Sequence, residues 1–198
     1  MIHNALEFLT DELNSYLKIK NRKTNMSENM VTLTNVATQE GNWAIPNNKL
    51  GISLINIEEE RVFKEQRATH VTVNGESEHY NPEIKLNLYV LITSNYTSGE
   101  INADSTEYLE GLKQLSNVIA FFQQKSVFNT TNSPSLDPAI GKLVVELFSY
   151  SFEQLYNFWT VIGAKYLPSV LYKVRLMRIQ EKEILGKQPV LSGLDITN

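Results

Sequence analysis

Three adjacent carboxylates, Glu58, Glu59 and Glu60, have the residue type that could bind a cation. They follow an alternation of apolar and polar residues that starts at Leu50 and predicts a β-strand. Successive side chains of a strand point to opposite faces of the sheet, so these three carboxylates cannot converge on one ion. We therefore interpret them as the solvated end of a strand.

The histidines are the second group with metal-binding chemistry. The chain has three of them, His3, His70 and His79, and no cysteine, which excludes disulfides, thiolate metal sites and a cysteine nucleophile. Asn74 and Gly75 are a strong signal for a two-residue hairpin turn, which would place His70 roughly opposite His79. A bound metal would still need a third ligand and an apolar shelter. We predict no metal site and no cofactor.

Motifs of the common enzyme classes are missing from the sequence. It contains no P-loop, no dinucleotide-binding glycine fingerprint, no nucleophile elbow and no metalloprotease helix. Asp104, Asp137 and Glu146 are each explained by helix capping or by solvation. We expect a protein that is not an enzyme.

Composition and charge further limit the classes of protein to which the chain can belong. The chain has 198 residues, of which 42% are hydrophobic and 20% charged, as expected for one globular domain. The net charge of the chain is −4. The chain has one basic cluster, at residues 18–23, which we interpret as a solvated helix end rather than a nucleic-acid site. No apolar run approaches the ~20 residues that span a bilayer. Acidic residues at Glu7, Asp11 and Glu12 argue against a signal peptide.

Hydrophobic periodicity predicts helices and strands in mixed order. An apolar stripe from Ile2 to Leu17 predicts a first helix, and 84–93 is the clearest strand, with both faces apolar enough to be central in a sheet. The other predicted strands are 31–35, 50–60 and 169–179, and residues 143–148 are either a strand or the start of the final helical unit. The other predicted helices start near 104 and at 151. Residues 128–138 read as a loop. We expect an α/β (α+β) fold, with a single mixed sheet of about four to five strands covered by about three helices.

Residues 149–180 are the most informative stretch of the chain. Ser151 and Gln154 match a capping box, and Gly163 and Pro168 end the helix that follows. The apolar residues at helical spacing within it are Phe152, Leu155, Tyr156, Trp159 and Ile162. From Ser169 the period changes to two, which predicts a strand.

A family pattern is present in four parts of the chain. It consists of SFEQL, a Trp, GAKYLPS and YKVR within 151–175, together with MIHNALEFLTDELNSYL, LNLYVLIT and YLEGLKQLSNVIAFFQ. With these stretches the chain resembles, nearly end to end, the cap or tube-terminator family of phage-tail-like extracellular contractile injection systems of the antifeeding-prophage type. The resemblance implies a structural protein whose copies form a ring, expected to be hexameric, that closes the distal end of the inner tube and the sheath.

The partners implied by the resemblance are further copies of the chain, the inner tube protein and the sheath protein, with no nucleic acid and no membrane. The implied location is the bacterial cytoplasm during assembly and afterwards the released or anchored particle. Two other interpretations remain open. One is another minor component of the same particle, such as a baseplate or adaptor piece, and the other is a small-ligand-binding module with the His70 and His79 hairpin as its site.

Two sets of residues are candidate interface contacts. Charged and aromatic residues beside a rigid turn often take part in interfaces. The first set of candidates is therefore Lys165, Tyr166, Arg175 and Arg178, which could instead simply stabilise the turn. We expect residues 1–180 to form one domain and 181–198 to form a tail that wraps it or docks on a neighbour. The tail is too apolar to be simply disordered, because it carries Val190, Leu191, Leu194 and Ile196.

Overall fold

A six-stranded mixed sheet with helices on both faces organises the chain. The computed structural model describes residues 1–21, 28–60, 68–71, 76–80, 84–96, 105–179 and 184–189. The helices are α1 (Ile2–Lys20), α2 (Ser105–Gln124) and α3 (Phe152–Ile162), with a short 3-10 helix at Pro138–Ile140. The strands are β1 (Val31–Leu33), β2 (Lys49–Glu59), β3 (Ala68–Val71), β4 (Glu76–Tyr80), β5 (Ile84–Asn95), β6 (Val127–Asn129), β7 (Lys142–Phe148), β8 (Ser169–Ile179) and β9 (Ile184–Pro189).

The strand order of the main sheet is β1-β2-β5-β8-β7-β6. Strand β1 is parallel to β2, and all the other neighbours are antiparallel. A second, antiparallel sheet has the order β3-β4-β9. The predicted α+β class, with a mixed sheet and three helices, is confirmed. The main sheet has six strands where about four to five were expected, and the second sheet adds three more.

The extra strands lie in segments that the sequence predicts as a loop and a tail. Strand β6 has only three residues, too few to show an alternating pattern, and β9 contains Gly186 and Pro189, which are poor strand formers. Both strands form through backbone pairing with a neighbour, β7 for β6 and β4 for β9. Such pairing depends on tertiary neighbours rather than on local propensity.

One face of the main sheet is covered by α1 and α2. Helix α1 buries the predicted stripe, and Leu13 and Leu17 in it are fully inaccessible to solvent. Phe128 of β6 is also fully buried, with the ring of Phe8 packed edge-on at 5.5 Å. Burying each of these large side chains contributes about 1.5–3 kcal/mol, so this layer dominates the stability of the domain.

A buried amide on α1 holds the edge strand β1. The side chain of Asn14 is 3% exposed; its Nδ2 donates to the carbonyl of Val31 at 3.0 Å, and its Oδ1 accepts from the N–H of Val31 at 2.9 Å. Among the described residues β1 has a strand neighbour on one side only, so these backbone groups have no strand partner there. Asn14 therefore takes the place of a further strand at this edge.

The opposite face of the sheet carries a smaller cluster. Trp159 of α3 packs there with Leu91, Leu167 and Leu171. Strand β5 supplies residues to both layers, since Leu88 lies in the first cluster and Leu91 in the second. The prediction that β5 is a central strand is therefore confirmed.

The predicted pairing of His70 with His79 is wrong by one residue. Strands β3 and β4 do form an antiparallel hairpin, but its register pairs His70 with Glu78 and His79 with Thr69. A two-residue turn at Asn74 and Gly75 would instead have paired His70 with His79. The geometry that would have brought the two histidines opposite each other is therefore not formed.

Candidate interaction surface

Helix α3 is stabilised at both ends by local hydrogen bonds. The N–H of Ser151 donates to Oε1 of Gln154 at 2.9 Å, and the N–H of Gln154 donates to Oγ of Ser151 at 3.3 Å, which confirms the capping box. At the other end Gly163 adopts φ 71°, in the left-handed region, and its N–H bonds to the carbonyl of Trp159 at 3.2 Å. Local hydrogen bonds, rather than burial of side chains, therefore determine where α3 begins and ends.

Little of α3 is covered by the rest of the chain. Trp159 is the only buried residue of its 11, whereas α1 buries eight of 19. Phe152 is 89% exposed and Tyr156 is 72% exposed, although both belong to the apolar stripe seen in the sequence. Large aromatic side chains are costly to leave in water, so this face of α3 is suited to contact another molecule.

These side chains border an apolar groove of about 410 Å³. Its lining comes from α3 and the turn that follows: Phe152, Leu155, Tyr156, Trp159, Thr160, Ala164 and Tyr166. None of the lining residues is charged. Aromatic enrichment and depletion of charge are typical of the central part of a protein interface.

The turn after α3 is held in place through its backbone. Nε1 of Trp43 donates to the carbonyl of Lys165 at 3.0 Å, and the N–H of Ser94 donates to the carbonyl of Pro168 at 2.9 Å. Leu167, between them, is 2% exposed. The backbone of Lys165 therefore fixes the turn, while its side chain is exposed to solvent.

Tyr166 forms one wall of the groove. Its ring packs edge-on against Trp159, with centroids 5.4 Å apart, and 58% of the residue remains exposed. Burial of its phenol, assisted by the nearby Tyr150 and Tyr108, raises the pKa of Tyr166 above its ordinary value.

Arg175 has a partner within the chain. Its Nη2 lies 2.7 Å from Oε1 of Glu146, and its Nε lies 3.2 Å from Oε2, across the β7–β8 pair. The hydrogen bonds to Glu146 raise the pKa of Arg175. Both side chains are partly exposed, so the ion pair contributes at most about 1 kcal/mol.

The remaining predicted contacts are not described at side-chain level. Arg178 lies in β8, and its side chain is outside the described residues, as are Val190, Leu191, Leu194 and Ile196 altogether. Of the predicted contacts whose side chains are described, Lys165, Tyr166 and Arg175, only Tyr166 lines the groove. The exposure of Phe152 and Tyr156 was missed because periodicity marks an apolar face without showing what covers it.

Metal centres and membrane-spanning helices each have recognisable structural requirements. In that part of the chain, no three histidines or acidic residues lie close enough together to hold a metal ion. No helix among the described residues is long and apolar enough to span a membrane.

Residues 5–192 match the family model of the Pvc16 N-terminal domain. The structure is similar to the sheath/tube terminator of PVC, an extracellular contractile injection system, in its extended state, with a TM-score of 0.63 and 14% identity over 100% of this chain. It is also similar to the tube-terminating cap of the anti-feeding prophage, with a TM-score of 0.55 and 14% identity over 92% of this chain. No curated protein matches the chain.

The two similar structures are longer than this chain. The matched region covers 63% of the PVC terminator and 61% of the anti-feeding prophage cap. At 14% identity the likeness shows a shared fold.

Proposed function

We propose, because this chain belongs to the Pvc16 N-terminal domain family, that it is a structural cap of a contractile injection particle. In this role it closes the distal end of the inner tube and the surrounding sheath. The observation that carries the proposal is the extent of the fold match, which takes in the whole chain for the PVC terminator and 92% of it for the anti-feeding prophage cap.

A cap acts through its surfaces rather than through catalysis. Copies that associate head to tail form a ring if the rotation between neighbours closes, and we expect a hexamer. One face of the ring then contacts the last layer of tube protein, and its rim contacts the last layer of sheath protein. Further addition stops because the ring presents no equivalent docking face outward. Assembly takes place in the bacterial cytoplasm, before the particle is released or anchored.

The groove on α3 supports this type of function. It is uncharged, lined by aromatic residues and formed on a helix whose ends are fixed by its own caps. A rigid apolar surface of this kind binds a protein partner without a large ordering cost. The domain division at residue 180, and the docking role of 190–196, are parts of the same proposal.

The test is the length distribution of particles from cells that lack this protein, measured by negative-stain electron microscopy. We expect overlong, ragged or unstable tubes and sheaths, with normal lengths restored when the unaltered chain is expressed again. Particles of normal length with a normal distal end would reject the terminator role. Complete loss of particles would instead indicate a baseplate or adaptor component.

A truncation tests the tail separately. Removing residues 190–198 leaves β9, which ends at Pro189 and pairs with β4. We expect the truncated chain to keep its circular dichroism spectrum and unfolding midpoint while losing its attachment to particles. Attachment equal to that of the full chain would exclude a docking role for Val190, Leu191, Leu194 and Ile196.

A further inference from the structure

We infer that the apolar groove on α3 binds a second copy of this chain, which inserts an exposed apolar stripe of its own α2. The inference rests on the proposed cap function, because a ring requires each copy to carry two different complementary surfaces. The inference identifies these two surfaces as the α3 groove and the α2 stripe.

The α2 stripe runs from the outer side of the helix at Leu109 to its flank at Leu112 and Ile119. Leu109 is 61% exposed, Leu112 36% and Ile119 38%, whereas Leu115 and Val118, further round the helix, are buried. The exposed residues follow the helix with spacings of three and seven, and this type of spacing lets an amphipathic helix anchor in a hydrophobic groove. Leucine and isoleucine anchors match the uncharged lining of the α3 groove.

The two surfaces belong to opposite layers of the domain. Helix α2 contributes Leu115 and Val118 to the cluster on one face of the main sheet, while α3 contributes Trp159 to the cluster on the other face. In this structure no residue of α2 lines the groove of its own copy. Contact between the groove of one copy and the stripe of the next is head to tail, which is the arrangement that generates rings.

The groove is too small to form a complete protein interface by itself. Seven residues line it, whereas a standard protein interface uses about 20–30 residues on each side. The groove is thus the centre of a larger contact, where aromatic residues such as Tyr156 contribute most of the binding free energy.

Cysteine cross-linking tests the contact directly, because the natural chain contains no cysteine. Tyr156→Cys chains are mixed with Leu109→Cys chains and treated with a short bifunctional maleimide. The matched control replaces Tyr156→Cys by Val161→Cys, which lies on the opposite side of α3 and is 88% exposed in the parent chain. We expect severalfold more linked heterodimer from the groove pair, because only in that pair do the two thiols lie within reach of the linker. Equal yields would overturn the inference.

Charge substitutions test the head-to-tail arrangement. Tyr156→Glu and Leu109→Glu should each weaken self-association by about thirtyfold or more, as expected at the centre of an interface. Each variant keeps the surface that the other has lost, so an equal mixture should recover dimers in analytical ultracentrifugation. Val161→Glu should associate like the unaltered chain. If Leu109→Glu associates normally while Tyr156→Glu does not, two grooves meet each other, or the groove holds another partner, and the inference is wrong.

Failure of this inference can be told from failure of the cap function. If the cross-link is absent but cells without the protein make overlong particles, the chain is a cap that uses another contact. If the cross-link forms but those cells make particles of normal length, the copies associate and the cap role is wrong.

Discussion

Tyr172 gives the fold a specific sensitivity to alkaline pH. It lies on β8, is 2% exposed, and packs against Phe122 with ring centroids 4.7 Å apart. Its hydroxyl has no hydrogen-bond partner among the described residues. Burial raises the pKa of Tyr172 from 10.0 to about 12, because the phenolate would have to form in the apolar layer.

The size and sign of the effect follow from this pKa. Below pH 10 the phenol is neutral in both the folded and the unfolded chain, and the folded state has its full stability. Between pH 10 and about 12 the unfolded chain releases the proton while the folded chain keeps it, so stability falls as pH rises. The loss from this residue reaches roughly 3 kcal/mol once the pH exceeds 12.

The assay compares urea unfolding of the parent chain and Tyr172→Phe at several pH values from 8 to 12. At pH 8 we expect the free energies of unfolding to agree within about 1 kcal/mol, since the lost hydroxyl has no partner in the described chain. At pH 12 the variant should be the more stable by roughly 2 kcal/mol. Tyr108→Phe, at a residue that is 53% exposed, is the control. Parallel pH dependence of the parent and Tyr172→Phe would refute the reasoning.

Three further substitutions test other parts of the fold. Asn14→Leu should lower the free energy of unfolding in urea by about 3 kcal/mol, because the outer N–H and carbonyl of Val31 lose their partner. Gly111→Ala should cost about 1 kcal/mol net despite a better helix propensity, because the added Cβ would lie 2.6 Å from Oγ of Ser94. Ser151→Ala removes the cap of α3 and should speed amide hydrogen exchange in that helix about fivefold.

Each of these has an outcome that contradicts it. A neutral Asn14→Leu would mean that β1 does not depend on α1. A gain in stability from Gly111→Ala would show that α2 can move away from β5 at no cost. Unchanged exchange in α3 after Ser151→Ala would mean that Trp159 alone holds the helix.

Parts of the candidate surface could be predicted from the sequence. The boundaries of α3 depend on residues within one turn of each end, so Ser151, Gln154 and Gly163 were enough to predict them. Tyr166 was predicted as a contact from its place beside the turn, and it does line the groove. The outward position of Phe152 could not be predicted, because an apolar stripe looks the same whether the domain covers it or leaves it exposed.

The sequence by itself determined the α+β class, the central place of β5 and the caps of α3. These depend on alternation and on hydrogen bonds between residues close together in the chain. Only the tertiary structure decided the pairing of β6 and β9, the register of His70 and His79, and which helices lie on which face. Those features depend on backbone pairing and burial between segments far apart in sequence, for which local patterns carry no signal.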